Sequence, residues 1–290
     1  MSSFAERLPI LDNPRADRVR RVSGLVGRSA RIRSGLMLVE GPQAVRELVR
    51  HRPRTLRDVY VREDLWDSSP ELIASARAAT RWVHPVSQAV SAALSSDAQG
   101  VCAVASLDAL HRELPDAEVG ETLVVIAQGR DPGNVGTIIR TADAFGARAV
   151  IAVVGTVDAA SPKVVRSSAG SVFHLPVCLV PSFAEARDLI HGRGAALLGT
   201  SGGSGSLDLA DLLVEGISSR SRLSQSHAWA FGNEARGLSA EEMRACDGLV
   251  AIPMTGRAES LNVASATCLF ASQTVRGRTP SRPRVGGLRD

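Results

Sequence analysis

Lysine is almost absent: Lys163 is the only one among 34 basic residues. Arginine in its place partly reflects genomic composition, so the distribution of charge says more than its type. Aromatic residues make up 3% of the chain, which limits how much base stacking it can offer a partner. No apolar run reaches the roughly 18 residues a membrane helix requires, and the first residues, Met1 to Glu6, lack the apolar core of a secretory signal. The four cysteines, Cys102, Cys178, Cys246 and Cys268, form no C-x-x-C pair and sit in apolar stretches. Buried free thiols in a reducing cytoplasm are therefore expected, with no disulfide and no zinc site. There is no H-x-x-x-H spacing, no paired carboxylates and no serine, histidine and acid arranged as a triad. His51 and His84 stand alone and read as structural.

What is present is basic and organised. The net charge is +4 and the pI about 9.3. Arginines cluster in three blocks: 15 to 33, 46 to 57, and 276 to 289. Such blocks favour a phosphate-rich partner over a neutral one. At 290 residues the chain has room for two domains, each able to bury a core.

The stretch Gln128 to Gly146 follows an apolar run, Leu123 to Ala127, that reads as a buried strand. Asp131 suits a helix cap, Pro132 the first helical position and Gly146 the stop. Val135, Ile138, Ile139, Ala142 and Phe145 fall on one buried stripe. Gly133, Gly136, Thr137 and Arg140 share the other side. A helical glycine costs roughly 1 kcal/mol relative to alanine, so this face reads either as a glycine-tolerant helix start or as a surface kept bare for close approach to the backbone.

In chain order, residues 1–30 read as a basic N-terminal helix or arm. Residues 31–106 form a small α/β domain with strands at 36–39, 56–61, 82–86 and 101–105. Residues 107–120 look like a linker. A second α/β domain over 121–276 has strands at 122–127, 149–154, 172–175, 195–198, 228–231 and 249–252. A helix is expected over 207–214, and a final helix of small and apolar residues over 262–275. The tail 277–290 reads as disordered. Strands alternating with helices imply a largely parallel sheet with ligands at the carboxyl ends of its strands. Four such ends carry glycine or polar residues: 131–140, 200–205, 232–237 and 253–262. The glycines at 129, 133 and 136 have the wrong spacing for a dinucleotide fingerprint, and no phosphate loop is present. A doubly wound oxidoreductase is thereby disfavoured.

Over nearly its full length the sequence resembles the SpoU (TrmH) group of SPOUT RNA methyltransferases, including the 23S ribosomal RNA members of the thiostrepton-resistance type. Three motifs carry the resemblance: Asn134-Val135-Gly136-Thr137-Ile138-Ile139-Arg140-Thr141-Ala142; Gly232-Asn233-Glu234-Ala235-Arg236-Gly237-Leu238-Ser239; and Ile252-Pro253-Met254 with Glu259-Ser260-Leu261-Asn262-Val263-Ala264. Ala235 and Ala264 stand where the family often has glycine and serine. Ser96 to Val101 and Arg31 to Gln43 look like the end and beginning of the family's substrate-binding domain, whose fold is like that of small RNA-binding ribosomal proteins.

The resemblance implies an α/β SPOUT catalytic domain with a deep C-terminal trefoil knot, an obligate homodimer, S-adenosylmethionine as methyl donor and a ribose 2′-hydroxyl of RNA as acceptor, ribosomal RNA before transfer RNA. Some relatives confer resistance to ribosome-directed antibiotics and others are housekeeping enzymes. Carried over by position, Gly232, Ile252, Pro253 and Leu261 hold the cofactor, with Thr200 and Ser201 lining it. Arg31, Arg33 and Arg140 contact RNA. Asn134, Arg140, Glu234, Ser260 and Asn262 form the catalytic set, with Arg140 as a possible partner for Glu234 in the same or the partner subunit. Helix capping accounts for part of what Asn134 and Asn262 do. A guanidinium stays charged in proteins, so Arg140 is expected to stabilise the developing oxyanion rather than to abstract a proton. The chemistry needs no metal. A transfer RNA enzyme and an RNA-binding protein without catalysis are the alternatives; the intact polar set argues against the second.

Overall fold

The structure, a computed structural model, describes residues 8–203, 205–215, 223, 225–258 and 260–272. The expected tail at 277–290, the first residues of the arm, Ser204 and Glu259 lie outside the described residues. No helix among the described residues is long and apolar enough to cross a membrane.

The first unit is a sheet covered on both faces. Its strands are β1 (Leu36–Glu40), β2 (Leu56–Arg62), β3 (Val83–Val86) and β4 (Val101–Ser106). Their order is β1-β4-β2-β3, with β4 antiparallel to both neighbours and β3 parallel to β2. Side chains alternate across the sheet. Met37, Val39, Val59, Val61 and Ala103 pack beneath α3 (Pro42–His51) and α5 (Pro70–Ala79), while Leu38, Tyr60, Cys102 and Val104 pack beneath α1 (Asp17–Ser23) and α6 (Gln88–Leu94). Two short helices complete the unit, α2 (Arg28–Ser34) and α4 (Glu63–Trp66). The expected basic arm is thus partly core: Val19, Val22 and Leu25 are buried, while Arg20 and Arg21 between them reach solvent.

The second sheet is wholly parallel. Its strands are β5 (Thr122–Ile126), β6 (Ala149–Val153), β7 (Val177–Val180), β8 (Ala196–Thr200), β9 (Leu207–Asp208), β10 (His227–Phe231) and β11 (Gly248–Ala251). They lie in the order β7-β6-β5-β10-β8-β11-β9. Strands buried on both faces read as unbroken apolar runs, as Thr122–Ile126 and Ala149–Val153 do. One face packs on α7 (Pro132–Ala144), α10 (Leu209–Glu215) and α12 (Val263–Ser272), the other on α9 (Phe183–Gly192) and α11 (Ala240–Ala245). A short helix, α8 (Pro162–Ser167), lies against α7 and β1.

The chain runs outward from β5 to β7, then crosses back to β8, so the winding reverses beside β5. In an open α/β sheet that reversal leaves a crevice at the carboxyl ends. β10 fills the gap between β5 and β8, which sets the carboxyl ends of β5, β10, β8 and β11 side by side.

Two element assignments differ from the sequence reading. Val172–Leu175, expected as a strand, is instead a buried 3-10 turn over Ser171–Phe173, and the strand follows at Val177–Val180. A short apolar run fits either state, and here the run is enclosed beneath α3 rather than paired. Leu207–Val214, expected as one helix, is split into β9 and α10.

The two units share one apolar core and several charged contacts. Arg166 pairs with Glu40, and with Asp97 at 2.7 Å. The Arg52 Nε donates to the Phe173 carbonyl at 3.1 Å. Arg31, expected to contact RNA, is 2% exposed. Its guanidinium pairs with Asp158 at 2.7 Å and donates to the Leu25 and Val26 carbonyls at 3.0 and 2.6 Å. It is a clamp between the units and is not available to RNA. Arg33, two residues on, is exposed.

Candidate active site

The opening of α7 is built as the sequence anticipates. The Asp131 Oδ1 accepts the Asn134 N–H at 2.8 Å, and Pro132 takes the first helical position. Val135, Ile138, Ile139 and Ala142 are buried against the sheet. The glycine face is open only in part. A Cβ on Gly136 would lie 1.9 Å from the Ser167 Oγ and 2.6 Å from the Val164 carbonyl oxygen. At that position the face is covered by α8 of the same chain, and Gly136 is small so that two helices touch. Thr137 and Arg140 remain exposed.

At the end of β10 the chain folds back on itself. Asn233 and Gly237 exchange backbone hydrogen bonds at 2.9 and 2.8 Å, and the Asn233 Oδ1 accepts the Ala235 N–H at 3.0 Å. A Cβ on Gly232 would stand 2.1 to 2.3 Å from the Gly237–Leu238 peptide, so only glycine allows this close return. The loop delivers Glu234 to the first motif, where its Oε1 accepts the Asp131 N–H at 3.3 Å. The expected Glu234–Arg140 pair is absent within the chain. Among the described residues Arg140 makes no hydrogen bond or ion pair. It stands about 9 Å along α7 beyond Asn134, at 1.5 Å rise per residue.

The third motif closes on the first. The Asn262 Nδ2 donates to the Asn134 Oδ1 at 3.1 Å, while the Asn262 Oδ1 accepts the Ala264 and Ser265 N–H groups and so caps α12. One side chain thus starts the last helix and ties it to the first helix of the sheet. Asn134 does not cap α7, since Asp131 does.

Two clefts lie at these strand ends. The first, of about 180 Å³, lies between the ends of β8 and β11 and α12. Thr200, Ser201 and Ser260 supply hydroxyls, and Ile252, Met254, Leu261 and Phe270 supply apolar walls. The Thr200 Oγ1 donates to the Ala230 carbonyl at 3.0 Å, and the Ser201 N–H donates to the Val250 carbonyl at 3.0 Å, which fixes the rim. The second cleft is open and polar, lined by Arg130, Asn134, Asn233, Glu234 and Arg236. Gly232, Pro253 and Arg140 line neither cleft.

An apolar-walled slot rimmed with hydroxyls and backbone edges fits an adenosyl group, which needs a flat apolar seat and a few polar anchors. At about 180 Å³ it takes part of such a cofactor, since ligand pockets commonly span about 300–1,000 Å³. Sequence reasoning missed Met254 and Phe270 in the wall. It also left Arg130, Asn233 and Arg236 without a role, although all three flank glycines at strand ends, the signal that marked their neighbours.

The cysteines are not part of either cleft. Cys102 and Cys178 are buried and free, as expected, with burial raising their thiols to about 12 and about 11. Cys246 is half-buried and likewise raised, to about 12. Cys268, on α12, is exposed, against expectation, because it faces away from the sheet.

Comparison with known proteins accounts for this arrangement. Residues 121–272 match the model of the SpoU rRNA Methylase family, and residues 38–108 match that of RNA 2'-O ribose methyltransferase substrate binding. The chain is similar to the 23S rRNA (guanosine-2'-O-)-methyltransferase RlmB of Bordetella pertussis, at 34% identity over 244 residues, covering 81% of this chain and 96% of the relative. It is equally similar to the 23S rRNA (uridine(2479)-2'-O)-methyltransferase of Streptomyces viridochromogenes, at 34% identity over 277 residues, covering 89% and 90%. Among solved structures, the fold is similar to the SpoU methyltransferase AviRb of Streptomyces viridochromogenes in complex with the cofactor AdoMet. That match has a TM-score of 0.72 and 30% identity, covering 90% of this chain and 98% of that one. It is also similar to an AdoMet-bound rRNA methyltransferase of Sinorhizobium meliloti, with a TM-score of 0.74 and 26% identity, covering 92% and 97%. The chain belongs to the SpoU rRNA methylase family and is an S-adenosylmethionine-dependent RNA ribose 2′-O-methyltransferase.

Proposed function

We propose that the protein methylates a ribose 2′-hydroxyl in 23S ribosomal RNA, with the cofactor held in the cleft between Thr200, Ser201, Ile252 and Leu261 and the acceptor in the polar cleft beside it. The observation that carries this reading is the Asn262–Asn134 contact at 3.1 Å, which joins the segment walling the first cleft to the helix bordering the second. The names of the relatives, which act on 23S rRNA, support the choice of substrate.

S-adenosylmethionine, when bound, supplies a sulfonium methyl group that can be transferred in line to an oxygen nucleophile. The chain has to seat the donor, place the hydroxyl opposite it and ease the loss of its proton. Ile252, Met254 and Leu261 seat the apolar part, and Gly232 keeps the neighbouring loop tight. Arg130 and Arg236 place backbone phosphate. Arg140 stabilises charge as it develops on the acceptor oxygen; its side chain leans toward the helix N-terminus, as helical side chains do, and hence toward Asn134. Glu234 and Ser260 orient the loop and the acceptor.

The unit at 31–106 reads the RNA and the unit at 121–276 carries out the transfer. An exposed leucine on the last helix, Leu269, suits a homodimer interface. Such a dimer gives Arg140 a place to meet Glu234 of a second copy. The return of the chain from β11 to the N-terminus of α7 suits a knotted C-terminal segment.

The experiment is transfer of labelled methyl from S-adenosylmethionine to total ribosomal and transfer RNA, followed by mapping of ribose methylation. One labelled nucleotide in 23S RNA is expected. Label confined to transfer RNA would reject the substrate, and absence of label in every RNA would reject the reading of the site.

A further inference from the structure

His174 stands between two carboxylates. Its Nδ1 faces the Asp143 Oδ2 at 3.1 Å, and its Nε2 faces the Glu47 Oε2 at 3.0 Å. The His51 Nε2 lies 3.3 Å from that same Glu47 oxygen. The two imidazole rings are 4.1 Å apart between centroids. His51 was isolated by sequence spacing; folding gives it two ligand-type neighbours, one of them from the other unit.

Two imidazole nitrogens converge on one carboxylate oxygen, an arrangement that a divalent cation can satisfy. Both Nε2 lone pairs and the Glu47 carboxylate can turn to one ion, while the His174 Nδ1–H donates to Asp143. A carboxylate on the far nitrogen is the usual outer partner of a metal-bound histidine, fixing its tautomer and ring. The spacing agrees. A tetrahedral ion with bonds of about 2.0–2.1 Å holds its ligand atoms about 3.3–3.4 Å apart, and the Glu47 distances are 3.0 and 3.3 Å. All three ligand atoms fall within 4.8 Å of one another. Glu47 and His51 stand at i and i+4 on α3, hence on one face. His51 is exposed, which leaves a fourth position for water.

We propose that Glu47, His51 and His174 bind a divalent metal ion of the zinc class, joining α3 of the RNA-reading unit to the catalytic unit. Two histidines and a carboxylate suit zinc among the divalent ions. The site lies apart from the methyl-transfer clefts: Asp143 stands about 14 Å along α7 from Asn134.

The test uses untagged full-length protein, stripped with a chelator and titrated with Zn²⁺ or Co²⁺ alone. Calorimetry is expected to give one ion per chain. The Co²⁺ spectrum should show tetrahedral bands and no thiolate charge transfer, which separates this site from the cysteines. At about a hundredfold excess over Kd, Zn²⁺ should raise the unfolding temperature by roughly 5 °C. His51→Ala, at an exposed position, should abolish binding without lowering the metal-free unfolding temperature. Asp143→Asn should weaken binding about 10- to 100-fold. Absence of saturable binding, or binding unchanged in both His51→Ala and His174→Ala, overturns the proposal.

Discussion

Arg140 is the residue on which the proposed chemistry depends most. It is exposed and unpaired among the described residues, so its removal leaves no buried charge and no broken contact. Arg140→Ala is expected to lower turnover by at least about a hundredfold, in line with the loss of one oxyanion-stabilising group. Cofactor affinity, measured by calorimetry, should be unchanged, and near-normal turnover would remove the arginine from the mechanism. The two asparagines allow a finer comparison. Asn134→Ala removes only the contact with Asn262 and should lower kcat with little change in stability. Asn262→Ala also removes the cap of α12 and should cost about 1 kcal/mol in thermal unfolding. Equal stability of the two variants would mean that the cap contributes nothing. Individual residues were unevenly legible. Asn134, Glu234 and Asn262 were singled out by their motifs, and the fold does bring Asn134 to Asn262 and Glu234 to Asp131. Arg31 was misread, because an arginine in a basic block looks solvated until a carboxylate from a distant segment is found beside it. In the first unit Tyr60 and Trp66 are buried, whereas Trp82 is open, at 39% exposure, with the Arg81 guanidinium 4.5 Å from its ring centre.

At the scale of the element, α7 shows how periodicity can be right about one face and ambiguous about the other. The apolar stripe followed from 3.6-residue spacing alone. The glycine face had two readings, and the tertiary contact with α8 covers it at Gly136 while leaving Thr137 and Arg140 exposed. Gly136→Ala sets two effects against each other. Helix propensity favours alanine by roughly 1 kcal/mol, while overpacking against a fixed carbonyl costs about 1–3 kcal/mol. The Val164 oxygen belongs to a backbone and cannot rotate away, so a net loss is expected, read as a lower urea midpoint at unchanged slope. A stabilised variant would mean that α8 yields easily. The buried turn at 171–173 was misassigned for a related reason: four residues, apolar but for His174, carry no period long enough to tell strand from turn.

At the scale of the molecule, the two units are held as one body by a common core and by charge pairs buried between them. Arg31 and Asp158 form the most enclosed of these. Burial by itself would raise the Asp158 pKa, but the Arg31 guanidinium and the Ala160 N–H outweigh it and hold the carboxyl below its ordinary value. As pH falls, the unfolded chain therefore takes up its proton first. The stability from this pair is present above the unfolded carboxylate pKa, about 3.9, and is lost as pH falls through the lower folded value. Asp158→Asn should cost about 3 kcal/mol near neutral pH, because it strands a buried guanidinium. The gap between variant and wild type in denaturant unfolding should close in acid. A gap that stays constant with pH would assign the loss to packing instead.

From the sequence alone came the alternating strand and helix order, the motifs and their family, and the strand ends that carry them, since these depend on local periodicity and on residue types at fixed spacing. Only the tertiary structure decided that β10 inserts between β5 and β8, that Gly136 serves helix contact, that Arg31 faces inward, and that His51 meets His174. Each of these is a meeting of segments distant in sequence, and the free energy that selects it comes from burial and charge pairing across the whole fold, which no local pattern records.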